Sequence, residues 1–141
     1  MEFGELLKQF LIDLQSLFRT SAKKLNLTLP QITLISSIPI DGIDMSTLSH
    51  RIGVDNSTLT RLIDILIKNN FVRKVKNLKD GRSFIILLSS KGEKLQFKIE
   101  QQIDQFGSVL YSKIPIEDQD DVKEVLSSLH WVISKYRLDV K

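Results

Sequence analysis

Residues 44–92 constrain the chain more than any other stretch. DMSTLSHRIGVDNSTLTRLIDILIKNN reads as helix, tight turn, helix; FVRKVKNLKDGRSFIILLSSKG reads as strand, basic loop, strand and the start of another helix. Asp44 suits the N-cap of a short helix that ends near Ile52. Gly53 follows, where a positive φ costs little. Asp55 is placed to cap the next helix, in which Leu59, Leu62, Ile63 and Leu66 recur at i, i+3, i+4 and i+7 and so face a core. Asn70 sits where that helix needs a left-handed residue, and Asn is second only to Gly there. Residues 71–77 then read as a strand, 78–82 as a loop with Gly81 at its tip, and 83–88 as the returning strand.

The flanking sequence is helical in pattern. Leu7, Phe10, Leu11, Leu14, Leu17 and Phe18 form one apolar stripe over residues 3–19, and residues 20–27 read as a loop. Thr28 and Gln31 form a T-x-x-Q capping box, flanked by Leu27 and Ile32 as a hydrophobic staple, so a second helix is expected over residues 29–37. Pro39 and Gly42 end it. Ser89 suits the N-cap of a long fifth helix with Leu95, Ile99, Ile103, Phe106 and Leu110 on one stripe, broken by Pro115. A sixth helix follows, with Glu117, Asp118, Asp120 and Asp121 near its positive N-terminal end. Its stripe is Val122, Val125, Leu126, Leu129, Val132 or Ile133, and Tyr136. The expected fold is mainly α with a small β-hairpin wing. A winged helix-turn-helix spans about 29–90, with terminal dimerisation helices at about 3–20 and 90–141, all in one domain of residues 1–141. Dimerisation is expected because three amphipathic helices exceed what a winged module of roughly 65 residues can cover, and a C2 partner is the common solution.

Composition excludes several classes. With 42% hydrophobic residues the chain can build a core, and no apolar run approaches the ~18 residues of a membrane span. The N-terminus lacks the basic start and apolar block of a signal peptide, so a cytoplasmic location is expected. Cysteine is absent, which removes disulfides, thiolate metal sites and thiol redox sensing. His50 and His130 stand far apart, so no metal or other cofactor is expected. The net charge is only +3, but it is unevenly spread: residues 51–94 carry +6, residues 1–50 carry −1 and residues 95–141 carry −2. Positive charge is gathered on the middle segment, as a phosphate-binding module requires.

On the fourth helix, at roughly 100° per residue, the face opposite the apolar stripe holds Ser57, Thr60, Arg61 and Asp64, with Asn56 and Thr58 on its flanks. Small side chains let a helix enter the ~12 Å major groove. Hydroxyls and N-terminal N–H groups can bond phosphates, and arginine can fork onto the O6 and N7 atoms of guanine or bind a phosphate. Ser-Thr-x-Thr alone is also the pattern of an ordinary solvated face; its place between a turn and a basic hairpin is what points to double-stranded DNA. The hairpin carries Arg73, Lys74, Lys76, Lys79 and Arg82. An arginine on such a wing fits the negative potential of a narrow minor groove, and Arg82, beside flexible Gly81, is the choice here. Asp80 orients Arg82, bridges back to Arg61, or is simply half of an Asp-Gly turn. The candidate DNA-binding residues are Asn56, Ser57, Thr58, Thr60, Arg61, Lys79, Asp80 and Arg82.

These residues resemble the MarR family of bacterial and archaeal regulators. The similarity runs through LSHRIGVDNSTLTRLIDILIKNNFV and KDGRSFIILLSSKG. Asp80-Gly81-Arg82 stands at the family's Asp-x-Arg wing, and Leu88-Ser89-Ser90-Lys91-Gly92 at its Leu-Thr-x-x-Gly helix start. The TLPQ segment at 28–31 is similar to the start of the family's second helix. The resemblance implies a sequence-specific transcriptional regulator, a repressor, acting as a winged-helix homodimer. Its first and last two helices would interlock between subunits, and each wing module would read half of a pseudo-palindromic operator. The DNA contacts it implies are Ser57, Thr58, Thr60 and Arg61 on the helix and Arg82 on the wing. Three positions depart from the family pattern: Asn70 replaces a usual glycine, Gly81 a frequent second wing arginine, and Ser89 a usual threonine. The first and third keep the local chemistry; Gly81 removes one charge.

Many members of that family are released from DNA by small phenolic or other anionic ligands. The residues here are equally compatible with a small-molecule effector of unknown identity and with none. The rival reading is a winged-helix module for protein–protein contact. The basic wing and Arg61 speak against it, because the centre of a protein interface is depleted in lysine. No Gly-rich phosphate loop, metal cluster or Ser/His/Asp grouping at an interpretable spacing is present, so the chain is not expected to be an enzyme.

Overall fold

The structure is a computed structural model that describes residues 1–140. The element order is α1 (Phe3–Lys24), α2 (Leu29–Ser36), β1 (Ile43–Asp44), α3 (Met45–Ile52), α4 (Asn56–Lys68), β2 (Val72–Lys76), β3 (Phe84–Leu88), α5 (Ser90–Ser112), a 3-10 turn (Ile116–Asp118) and α6 (Gln119–Asp139). The chain divides into two compact units, Met1–Ile103 and Asp104–Lys141.

In the first unit, local polar chemistry sets the helix boundaries. The Gln31 N–H donates to the Thr28 hydroxyl at 3.3 Å while the Gln31 side chain accepts the Thr28 N–H at 2.9 Å, which completes the expected capping box. Asp44 accepts the Thr47 N–H at 2.7 Å and caps α3. Asp55 does the same for α4 through the Thr58 N–H, also at 2.7 Å. Gly53 closes α3 at φ 74°, and Asn70 takes φ 64° one residue beyond the Asn69 C-cap of α4.

One expectation fails here and another is extended. The first helix does not stop near residue 19 but runs to Lys24, because nothing in TSAKK breaks a helix and Ser21 and Ala22 are buried. Asn26, at φ 57°, ends the run, and the Leu27 N–H returns to the Ala22 carbonyl at 2.9 Å. The wing is also more than a hairpin. The sheet has three antiparallel strands in the order β1-β3-β2, with Ile43 opposite Ile86 and Lys74 opposite Ile86 from the other side. A two-residue strand is too short to show alternation, so β1 leaves no signature in the sequence.

The core joins α2, α3, α4, β3 and α5. Leu34, Ile35, Ile38, Leu48, Leu59, Ile63, Leu66, Ile86 and Ile99 are fully buried. Each contributes about 1.5–3 kcal/mol relative to exposure, which fixes which face of α4 is left for solvent. The start of α5 is tied to the end of α4 by side chains. The Ser89 hydroxyl donates to the Asn70 carbonyl at 2.6 Å and accepts the Gly92 N–H at 3.0 Å. Lys91 Nζ donates to the Asn69 carbonyl at 3.0 Å, and the Ser89 N–H to the Phe71 carbonyl at 3.0 Å. Gly92 lies so close to the Phe71 carbonyl that a Cβ would overlap its oxygen. One turn on, Gln96 Nε2 donates to both the Ile35 and Ile38 carbonyls at 2.8 Å, satisfying the C-terminal end of α2.

In the second unit, α5 ends at Ser112 ahead of Pro115, and Gln119 Nε2 donates to the Tyr111 and Ile114 carbonyls, each at 3.2 Å, to close the turn into α6. The α6 stripe is exposed: Val125, Leu126 and Tyr136 each show about two thirds of their surface. α1 likewise exposes Phe10, Leu11 and Leu14. No helix among the described residues is long and apolar enough to cross a membrane.

Candidate nucleic-acid interface

The face of α4 turned away from Leu59, Ile63 and Leu66 is the one expected. Asn56, Ser57 and Arg61 are exposed, and Thr58 and Thr60 are half-buried. Its N-terminal turn is organised by Asp55. Besides the Thr58 N–H, the Asp55 carboxylate accepts the Ser57 hydroxyl at 2.9 Å. These bonds hold the Asp55 carboxyl below its ordinary value. The Thr58 N–H has the largest effect, the Ser57 and Thr58 hydroxyls follow, and the Arg61 guanidinium adds to them. The Thr60 hydroxyl donates back to the Asn56 carbonyl at 2.8 Å, and Arg61 Nη2 reaches the Thr58 hydroxyl at 3.4 Å. The sequence expectation lets these hydroxyls bond phosphate; in the structure those of Ser57 and Thr60 donate to acceptors at the start of the helix.

The wing loop between β2 and β3 is built from two side-chain turns. Asn77 accepts the Lys79 N–H at 3.0 Å, and the Asp80 carboxylate accepts the Arg82 N–H at 3.1 Å. The Ser83 N–H closes onto the Asp80 carbonyl at 3.2 Å, and the Asn77 N–H onto the Ser83 carbonyl at 3.0 Å. Asp80 therefore has the turn role, and through the Arg82 backbone it sets where that side chain leaves the loop. Lys76, Lys79 and Arg82 are exposed. Lys74 differs from them, since its ammonium lies 4.5 Å from the centre of the Phe84 ring. Leu78, fully exposed at the loop's edge, was not singled out by the sequence pattern.

Arg61 and Ser57 on α4 and Lys79 and Arg82 on the wing thus belong to one compact unit, with α4 packed against β2. The family model described as "Transcriptional regulator SarA/Rot" matches residues 16–99, more than half of the chain and the whole winged module. The chain belongs to the SarA/Rot family of transcriptional regulators. This SarA/Rot regulator is 25% identical over 109 residues to the HTH-type transcriptional regulator SarZ of Staphylococcus saprophyticus, a match covering 75% of this chain and 72% of SarZ. Its fold is that of solved MarR structures. The MarR protein from Peptoclostridium difficile DA00132 superposes with TM-score 0.83 at 21% identity, covering 100% of this chain and 93% of that one. A mutant MarR from E. coli complexed with operator DNA gives 0.74 at 21% identity, covering 89% and 91%. The resemblance to the MarR family and the winged-helix fold with terminal helices are both borne out.

Proposed function

We propose that this regulator is a sequence-specific repressor that binds double-stranded DNA as a homodimer on a pseudo-palindromic operator in the cytoplasm. The observation that carries the proposal is the pairing of a solvent-facing α4 surface centred on Arg61 with a basic wing whose hydrogen-bonded turns present Lys79 and Arg82. α4 enters the major groove, and Asn56, Ser57, Thr58, Thr60 and Arg61 face the base edges and nearby backbone. Lys79 and Arg82 follow the flanking phosphates and minor groove, while Asp80 shapes the loop that carries them. The likeness of fold to a MarR protein complexed with operator DNA supports this docking.

The homodimer is supported by apolar surface. Phe10 and Leu11 on α1 are each 56% exposed, and Trp131 on α6 is 62% exposed. Surfaces of this kind mark association sites, and a self-complementary C2 contact is the common way to cover them. In this reading residues 29–90 form the reading head and the helices outside them the dimerisation element.

The test is binding of genomic DNA fragments at two salt concentrations, with Arg82→Ala as control and mass measured in solution. The expected result is selective binding by a dimer, weakened by salt and by the substitution. Weak, non-selective binding unaffected by Arg82→Ala would replace the proposal with a winged helix for protein contact.

A further inference from the structure

The hydroxyl groups on α4 have their hydrogen-bond direction fixed by partners that cannot donate. Ser57 bonds the Asp55 carboxylate at 2.9 Å, and Thr60 bonds the Asn56 carbonyl at 2.8 Å. The Thr58 hydroxyl receives Arg61 Nη2 at 3.4 Å. A carboxylate and a carbonyl only accept, and a guanidinium only donates. The Ser57 and Thr60 protons are therefore directed inward, and what these two hydroxyls present to the groove is lone pairs. A helix cap requires only the Thr58 N–H bond to Asp55; the hydroxyl bonds go beyond it.

Phosphate oxygens also only accept, so they are mismatched to such a face. Charge adds to the mismatch. A phosphate oxygen bonded to Ser57 would stand about two hydrogen-bond lengths, ~6 Å, from the Asp55 carboxylate, and like charges at that range repel. The donors that the major groove offers are the exocyclic amino groups, N6 of adenine and N4 of cytosine. Beside the lone pairs, Arg61 supplies the donors that suit guanine O6 and N7.

We propose that Asp55 is a positioning residue for base recognition: with the Asn56 carbonyl it holds the Ser57 and Thr60 hydroxyls as acceptors, so that this face reads exocyclic amino groups of the bases instead of phosphates. The inference rests on the DNA-binding reading above and names the chemistry that α4 reads. It makes Asp55 specific for more than helix stability. Asn caps a helix about as well as Asp, but Asp55→Asn removes the negative charge and introduces an amide that can donate to Ser57. The Ser57 proton is then free to turn outward.

The experiment selects binding sites from a random double-stranded DNA pool with the full-length protein and with Asp55→Asn. In the wild-type site, adenine is then replaced by purine, and cytosine by 2-pyrimidinone, one position at a time, which deletes single amino groups. The expected result is a loss of roughly 3- to 10-fold at one or two positions per half-site, absent in Ser57→Ala or Thr60→Val at the same positions. Asp55→Asn, with unchanged helical circular dichroism, selects different bases there. Wild-type affinity that survives every amino deletion, or an Asp55→Asn selection identical to wild type, overturns the inference while leaving DNA binding intact. Enrichment of no site by the wild-type protein overturns the DNA-binding reading itself, and the inference with it.

Discussion

Gly92→Ala separates two opposed physical effects by the sign of its outcome. Within the first turn of α5, alanine should stabilise by helix propensity, by about 1 kcal/mol relative to glycine. The structure predicts the reverse, because a Cβ at Gly92 overlaps the Phe71 carbonyl oxygen and presses on the Leu88 side chain at 3.2 Å. Overpacking of this kind costs ~1–3 kcal/mol. Relief requires α5 to back away, and that breaks the bonds from the Ser89 N–H to Phe71 and from the Ser89 hydroxyl to Asn70. Each is worth about 1 kcal/mol, so the net loss after the propensity gain is ~2–4 kcal/mol. With a urea slope of roughly 2 kcal/mol/M, the unfolding midpoint falls by ~1–2 M. The assay is urea unfolding followed by circular dichroism at fixed protein concentration, since association shifts apparent stability. Gly4→Ala is the control: a Cβ there meets nothing within 4 Å, and its midpoint stays or rises. A Gly92→Ala midpoint equal to or above wild type refutes the close-approach argument.

Other consequences are open to equally direct checks. Lys79→Ala should lower the slope of log affinity against log salt by about 1, and an unchanged slope removes Lys79 from the phosphate contacts. Gly81→Arg should raise affinity and steepen that slope by about 1, because the nearest side-chain neighbour of its Cβ is Lys76 at 3.8 Å; weaker binding would show that the loop cannot take the added side chain. Asp44→Ala removes the α3 cap and should cost about 1 kcal/mol at neutral pH. The Thr47 N–H and then the Thr47 hydroxyl hold the Asp44 carboxyl below its ordinary value of 3.8. Its contribution is therefore complete above that value and lost as pH falls through the lower folded one, so denaturation midpoints of variant and wild type should converge in acid; a gap independent of pH contradicts the assignment. Leu126→Glu should reduce the mass in solution to the 16.2 kDa of one chain, whereas an unchanged dimer would place the interface elsewhere.

Much of the fold was legible because its boundaries are set by residues close in sequence. Thr28, Asp44, Asp55, Asn70 and Ser89 each cap or end a helix through conformation or a partner that the local pattern already supplies. What escaped depends on distance or on conformation. β1 exists only because Ile43 meets Ile86 across the sheet. The last turn of α1 persists because Ser21 and Ala22 are buried, and Ser21 finds Gln102 Oε1 at 3.0 Å from α5. The positions of Arg61, Lys79 and Arg82 on an outward helix face and a wing loop follow from periodicity and the Asp-Gly turn. The direction of the α4 hydroxyl protons does not follow from residue type, since serine both donates and accepts. It is decided by which acceptor lies within reach, and Asp55 two residues before Ser57 is the one clue the sequence carries.

The two hydrogen bonds that Gln96 Nε2 donates to the Ile35 and Ile38 carbonyls bear on how the first unit opens in time. Together with Ser89 and Lys91 it fastens the first two turns of α5 to the ends of α2 and α4. A helix start is ordinarily where amides fray and exchange with solvent first. Here the amides of Gly92 and Glu93 are bonded to Ser89, Ser89 is itself bonded to Asn70 and Phe71, and Gln96 anchors the next turn. These amides should therefore exchange with the same free energy of opening as those of β3. The start of α5 then behaves kinetically as part of the reading head, opening with it in a single cooperative event.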